Sequence, residues 1–508
     1  MNLRRWISIL LLFTMIAGCG NPWSSGDRVL VTKLPHGNGV SGPHRYEVVV
    51  FKYPTRPIEN HSPTNYIKRL LGLPGELLAI FFGRLYRWTP LAGGKAPFND
   101  DGVDAKLLWR KEYMHHNEQP FAYLDPDHAR RNDTERTAEW KKWFEQGNFE
   151  VLRKPPHVML SMRRIVYDND FQAKDMAHLL RWKPNAKSSA WKADGKTGFT
   201  HDGQADGQTD WLHYQHLVRP DGVLAGAADI KPKLITDSLA YNNFKYVELD
   251  RDDQGRFRRG AMIDRSGESF PHWVGDLMIE CNVEVTQAKG EFWLELNKGV
   301  YRYQARWDLS SGQCALKSID MAGKEKDLGS TATSVKGPGN YMLRLANIDA
   351  RLTVWVDSGL PFGDGVDYPP PELRGPDDKD MKAVKDRRGP TVNDLKPASL
   401  GSKGASVKIT HLRLWRDTYY STWIPSQIPP VDPDYAQAPK SFTDPVDWDP
   451  IRQPNFSTWY VQPGHYMCLG DNSAASSDSR DWGVVPERLM LGRALVIYWP
   501  LDRIGRIR

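Results

Sequence analysis

The chain has 508 residues, 26% of them charged and 40% hydrophobic, a globular composition that excludes a disordered or collagen-like protein. Its length exceeds one ordinary domain, so two or three are expected, and its 19 Trp and 20 Tyr favour β-rich structure. The net charge of +6 is small for this length and Lys and Arg are scattered without runs, which excludes a nucleic-acid-binding role.

Met1-Asn-Leu-Arg-Arg5 is a basic start, Trp6 to Ala17 is an apolar run, and Gly18-Cys19 follows. A full membrane span needs about 20 apolar residues, so this shorter run reads first as a signal-peptide core. Ile16-Ala-Gly-Cys19 fits a bacterial lipobox, in which Cys19 is lipidated and becomes the mature N-terminus. The alternative is an uncleaved short anchor. Either reading holds the chain at a cell membrane with its bulk on the extracytoplasmic side.

Residues 24–82 read as short strands punctuated by Gly and Pro: Val29–Lys33, Tyr46–Phe51 and Tyr66–Leu71. The same pattern resumes only near Gly464, with His465–Leu469 and then Gly492–Tyr498. One β module, 24–82 plus 461–508, is therefore interrupted by a long insertion. Within that insertion, 83–154 is mixed, and Trp140, Trp143 and Phe144 at helical spacing predict a helix over 125–147. Residues 155–360 and 404–420 alternate as strands do, within an inserted sandwich read over 155–460. Phe292–Leu296 and Val300–Gln304 read as a pair, as do Tyr341–Leu345 and Arg351–Val356 around a turn at 346–350. Val407–Trp415 adds another strand, and the set predicts a two-sheet sandwich. The stretch 361–403, rich in Pro, Gly, Asp and Lys, reads as an exposed or disordered loop. The fold class expected is mainly β.

The chemistry concentrates in two places. Alternation along Tyr66-Ile-Lys-Arg-Leu70 puts Lys68 on the face of Tyr66 and Leu70 and turns Arg69 to the other face. A lysine acts as a general base only if apolar surroundings pull its pKa well below about 10.4, and this placement suits that. The second place is Gly470-Asp-Asn472 with Ser476, Asp478, Ser479 and Arg480. Other signals are weaker. His115-His116 and the series Asp202, Asp206 and Asp210 lack metal-ligand spacing and read as polar loops. A Cys281–Cys314 bridge and two buried free thiols are both open from spacing alone.

Gly26-Asp-Arg-Val-Leu-Val-Thr-Lys33, Tyr66-Ile-Lys-Arg-Leu-Leu-Gly-Leu-Pro-Gly-Glu76 and the block from Gly470 to Pro486 resemble the conserved blocks of bacterial type I signal peptidases. The insertion's strand pattern looks like the concanavalin A/laminin G-like sandwich family. The first resemblance implies a serine endopeptidase with a Ser-Lys dyad that removes signal peptides from exported preproteins, without metal or cofactor. It implies Lys68 as general base, Ser476 as the hydroxyl that orients Lys68, and Asp478 with Arg480 as a supporting ion pair. Gly470, Asp471 and Asn472 would shape the turn. Glu76 stands where an Asp is usual, and Ser473-Ala-Ala475 replaces a more polar run.

The nucleophile block departs from the family. Counting back from Gly26-Asp27 places it at Gly18, and a one-residue slip places it at Cys19. Ser24 or Ser25 as a relocated nucleophile, Cys19 as nucleophile, and a non-catalytic relative all stay open. In the last case the chain is an envelope binding protein whose sandwich takes a carbohydrate or protein ligand.

Overall fold

The computed structural model of the chain describes residues 28–33, 42–53, 65–89, 144–195, 197–204, 207–219, 230–238, 246–251, 257–263, 271–373, 379–422, 441–452, 457–461, 464–473 and 476–507. The N-terminal run with Cys19, Ser24 and Ser25 lies outside these residues, as do His115, His116, Asp206, Trp140 and Trp143. The helix expected over 125–147 can be compared only from Phe144 onward. There Phe144 is buried against Phe81, Tyr86 and Phe149.

The chain is mainly β, and its sheets are antiparallel. One sheet is assembled from both ends of the chain, in the order Arg28–Lys33, Met490–Trp499, Val48–Lys52, Asn65–Gly72, His465–Leu469 and Val485–Pro486, with Gly505–Arg506 pairing onto Met490–Trp499. A smaller sheet orders Ser457–Val461, Glu76–Phe81, Arg84–Trp88 and Glu150–Val151. The terminal module is thus discontinuous, and its pairing extends past the limits 82 and 461 read from the sequence. Arg84–Trp88 pairs with Glu76–Phe81 because Phe82 and Gly83, both at positive φ, close a tight hairpin.

The insertion is a β-sandwich. One sheet orders Val366–Asp367, Arg351–Val356, Gly339–Ile348, Leu277–Val285, Ser406–Arg416, Gly198–Asp202 and Trp191–Asp194, and Arg164–Asp168 pairs onto Ser406–Arg416. The other orders Glu325–Ala332, Gln313–Ile319, Tyr301–Asp308, Glu291–Lys298, Ala398–Lys403, Asp210–Tyr214 and Trp182–Pro184. Their facing side chains make one core. Ile279, Val283, Leu345 and Leu414 from the first sheet meet Phe292, Leu294, Leu296, Trp307 and Leu400 from the second. Burial on this scale, about 25 cal/mol per Å² of apolar surface, is the main force holding the two sheets together.

Two expectations are corrected here, and one open alternative is decided. The stretch 361–403 is not a loop throughout: Ala398–Lys403 is a strand inside the sandwich, paired on both sides, with Ala398, Ser399 and Leu400 fully buried. The turn near 346–350 is shorter than expected. Gly339 to Ile348 stays in strand, and only Asp349 and Ala350, at φ 53° and 54°, make the reversal. A two-residue reversal with both φ positive matches strand twist better than a long loop. Cys281 and Cys314 are free thiols in opposite sheets, and burial pushes both well above the usual thiol range. We expect alkylation of either thiol only after denaturation, and no change of melting temperature with reductant. A lost bridge would cost about 2–5 kcal/mol.

The sandwich and the terminal module meet across a buried ionic cluster. The Arg84 guanidinium is bidentate on Asp276, with both donor distances 2.7 Å, and also contacts Glu372. Lys154 bridges Asp349 at 2.7 Å and Asp417 at 2.8 Å, and Lys298 pairs with Asp276. Asp276, Asp349 and Asp417 bring carboxylate oxygens within 4.8 Å of one another, a spacing a metal ion can use. Here the chain's own cations face them. Burial opposes the Lys154 charge, but Asp349 and Asp417 outweigh it and hold its pKa well above the ordinary value.

Candidate active site

The strand Asn65–Gly72 lies between Val48–Lys52 and His465–Leu469, with Lys68 opposite Val49 and Leu70 opposite Cys468. That register sets the two ends of the chain side by side. Tyr66, Lys68 and Leu70 share one face of the strand. Leu70 packs with Val49, Phe51, Tyr466, Cys468, Val485 and Met490, and the Lys68 ammonium sits 5.7 Å from the Tyr66 ring centroid. Lys68 Nζ donates to Ser476 Oγ at 2.8 Å. Among the described residues, Ser476 is the hydroxyl bonded to this amine.

Burial lowers the Lys68 pKa, because a desolvated ammonium is penalised relative to the neutral amine. The Asp478 carboxylate opposes that shift, the Arg480 charge adds to it, and Asp471 and Cys468 oppose it more weakly. Arg69 points the other way. Its Nε and Nη2 donate to the two Asp471 carboxylate oxygens at 2.8 and 2.7 Å, and its Nη1 donates to the Tyr46 carbonyl at 2.8 Å. The neighbouring cation is therefore neutralised on the far face of the strand.

The turn after His465–Leu469 is held from below by Asp478 and Arg480, both fully buried at the side chain. Asp478 caps the short helix Ser479–Trp482 by accepting from Arg480 N at 3.1 Å, and it accepts from Gly470 N at 2.9 Å. Its two oxygens also take Arg480 Nε and Nη2 at 2.9 and 2.7 Å. Ser479 Oγ accepts from Cys468 N at 2.9 Å. Asn472 is half-buried in the same turn. Glu76 acts at the other end of the strand, closing the next turn by accepting from Leu73 N at 2.8 Å and pairing with Arg45.

Gly470 has a physical reason to be glycine. A Cβ there would stand 2.0 Å from Ser476 Oγ and 2.7 Å from Ser476 Cβ, so any side chain drives Ser476 away from Lys68. Gly470→Ala is expected to lower any turnover by about 100-fold through this displacement. Kinetics at unchanged far-ultraviolet circular dichroism would check it, and wild-type turnover would rule the displacement out.

Lys68, Gly470, Asp471, Ser476, Asp478 and Arg480 are thus brought together, whereas Cys19, Ser24 and Ser25 lie outside the described residues. Two further members of the site have no role that the sequence assigns. Ser473 Oγ and Ser421 both accept from the Arg480 guanidinium. Asp202 and Asp210 sit on different strands, and Asp210 accepts from Ser189 Oγ and Ala190 N, both at 2.8 Å. No helix among the described residues is long and apolar enough to cross a membrane.

Residues 20–93 and 427–499 match the family model described as signal peptidase, peptidase S26. Signal peptidase I of Leptolyngbya laminosa is 35% identical over 78 residues, covering 15% of this chain and 32% of the relative. Signal peptidase I of Buchnera aphidicola subsp. Acyrthosiphon pisum is 46% identical over 46 residues, 9% of this chain and 15% of the relative. Mitochondrial inner membrane protease subunit 1 of Xenopus tropicalis is 43% identical over 49 residues, 10% of this chain and 29% of the relative. The matched region spans 32% and 29% of the two signal peptidases that match first. Among solved structures, carbohydrate binding module CBM66 from Bacillus subtilis aligns over 47% of this chain and 96% of its own, at 10% identity and a TM-score of 0.25. The family-model match lies in the two segments that carry Lys68 and Ser476.

Proposed function

We propose that the chain is a membrane-held serine endopeptidase of the signal peptidase I type, acting on exported preproteins. The observation that carries this reading is the desolvated Lys68 amine, 2.8 Å from Ser476 Oγ, inside segments related to that family. Lys68 is the general base and Ser476 orients its amine. Ser476 is only 6% exposed and wedged against Gly470, so the attacking hydroxyl comes from another residue, with Ser24 and Ser25 the candidates. That serine loses its proton to Lys68 as its oxygen bonds to the scissile carbonyl carbon. The C–N bond breaks, and Lys68 passes the proton to the departing amine. Water then attacks the acyl ester, Lys68 takes its proton, and the serine regains a proton as the ester C–O bond breaks. No metal or cofactor enters these steps. Anchoring through a lipidated Cys19 or a short N-terminal anchor would keep the site beside membrane-borne substrates.

The test is cleavage of a model preprotein in detergent by the full chain, with Ser24→Ala, Ser25→Ala and Ser476→Ala compared. Loss of turnover in one of the first two names the nucleophile. Absence of turnover in the folded wild-type protein would overturn the reading.

A second reading, a non-catalytic envelope binding protein, is favoured by one surface. On the outer face of the sheet containing Glu291–Lys298, the Trp211 and Trp293 rings lie 6.3 Å apart, and Trp211 stacks on His213. His213 Nδ1 and Ser399 Oγ are hydrogen-bonded at 2.8 Å, and Gln304 Nε2 donates to Glu295 at 2.6 Å. Burial, helped by Lys396 and Arg302, lowers the His213 pKa to about 4 and keeps it neutral. Trp293, Glu295, Gln304 and Ser399 are buried, so the half-buried Trp211 and His213 are the groups of this patch a ligand could reach, and an accessible indole face suits stacking on a carbohydrate. Quenching of tryptophan fluorescence by peptidoglycan fragments, lost in Trp211→Ala, would support this reading, and no response to any glycan would remove it.

A further inference from the structure

The strand Ser406–Arg416 runs through the middle of its sandwich sheet and leads directly into 417–421. Each residue followed along that exit is fixed to something different. Asp417 N donates to the Asp276 carbonyl at 2.9 Å, and the Asp417 carboxylate takes Lys154. Thr418 Oγ1 donates to the Met162 carbonyl at 3.2 Å. Tyr420 N donates to the Gly83 carbonyl at 3.0 Å, and the Tyr420 ring is buried with Leu71, Leu78, Met467 and Leu469 under the site. Ser421 then reaches the site itself.

Ser421 N donates to Ser473 Oγ at 3.0 Å. Arg480 Nη1 donates to the Ser421 carbonyl at 2.8 Å, to Ser421 Oγ at 3.0 Å and to Ser473 Oγ at 2.7 Å, and Nη2 donates to the Ser473 carbonyl at 2.8 Å. The other side of the same guanidinium is taken by Asp478. Arg480 is thus clamped between the turn that carries Ser476 and a segment belonging to the insertion. All three of Ser421, Ser473 and Arg480 are buried.

We infer that Ser421, with Ser473, is a positioning residue of the Lys68–Ser476 site, so that the inserted sandwich holds the site's charges in register through its own exit segment. The assignment rests on Lys68 being the working amine of the site. The groups facing Lys68 are Asp478 and Arg480 from the distal turn, Asp471 and Cys468 from the adjoining strand and turn, and Tyr66 on its own strand. Its other neighbouring strand presents Val49 opposite, and Glu47 at that strand's end is engaged with Arg493. Loosening Arg480 has one sign. Its charge, which disfavours the protonated amine, moves off, and Asp478, which favours it, is less neutralised. Both changes favour protonated Lys68.

The test uses the full chain in detergent and a readout that does not need catalysis. Lysines are acetylated competitively with acetic anhydride across pH, and the peptide containing Lys68 is followed by mass spectrometry. In Ser421→Ala and in Ser473→Ala the reactivity midpoint of Lys68 should move to higher pH. It should stay in place in Ser402→Ala, a buried sandwich serine whose hydroxyl donates to the Ala405 carbonyl. Preprotein turnover at neutral pH should fall about tenfold in the first two, with the acidic limb of the profile displaced upward. An unmoved midpoint in both folded variants overturns the inference, and if Ser421→Ala does not fold, Ser473→Ala decides. A moved midpoint in a protein that cleaves nothing upholds the positioning role and overturns the peptidase reading instead.

Discussion

Lys68→Arg should abolish preprotein cleavage, with a loss of about 10²–10⁴-fold or more, while leaving the fold in place. The substitution keeps a long side chain on the face of Tyr66, so its apolar stem still packs there. What it removes is the capacity to be neutral, since a guanidinium does not release its proton at accessible pH. Lys68 is different because burial works against its charged form and Arg480 adds to that pressure. The pH dependence follows in sign. Catalysis by neutral Lys68 is present above its folded pKa and lost as pH falls through it, so the acidic limb of the profile lies below the ordinary lysine value. Stability follows the same group. In the window between the lowered folded pKa and the ordinary value the unfolded chain binds more protons, so stability rises with pH there. Below that window the cost of the buried ammonium is fully present. Initial rates for wild type and Lys68→Arg across pH, with thermal melts beside them, would check this. A Lys68→Arg protein that cleaves at the wild-type rate would sink Lys68 as base.

The legible part of the site was the part written in one stretch of chain. Alternation alone placed Lys68 with Tyr66 and Leu70 and turned Arg69 away, because a strand has a period of two whatever it pairs with. Asp478 and Arg480 were legible by motif spacing. Ser421 was not, since its contact with Arg480 spans 59 positions and no periodicity marks it. Ser473 looked like a substitution in a polar run, and its value appears only when the guanidinium arrives beneath it. The strand Ala398–Lys403 was hidden for a packing reason. Its residues are small because the sheet is crowded there: a Cβ on Gly401 would meet the Trp211 ring at 2.8 Å. Small residues weaken the strand signal, and the Pro- and Asp-rich stretch before them strengthens the loop signal. The junction cluster was equally silent. Asp276, Asp349 and Asp417 lie on three separate segments, and nothing in the sequence joins them to Arg84, Lys154 or Lys298.

Removing one partner of the Asp478–Arg480 pair should be the most damaging change to the stability of the terminal module. Both side chains are fully buried, so Asp478→Ala takes away the carboxylate that pairs with the guanidinium in a site closed to water. Breaking a buried pair in this way costs about 3–5 kcal/mol. The helix Ser479–Trp482 also loses its cap, worth a further 0.5–2 kcal/mol or about that. Gly470 N loses its acceptor as well, and with it the turn that keeps Ser476 against Lys68. A double variant, Asp478→Ala with Arg480→Met, removes the stranded charge and should recover part of the loss, because an apolar pair of similar volume escapes the desolvation penalty. It should not recover the Lys68 environment, since both charges that act on the amine from this side are gone. Denaturant unfolding of the two single variants and the double variant separates these effects. Additive losses would mean that the pair does not act as a unit. Recovered stability with Lys68 reactivity still displaced would assign the pair a role in tuning the amine beyond holding the fold.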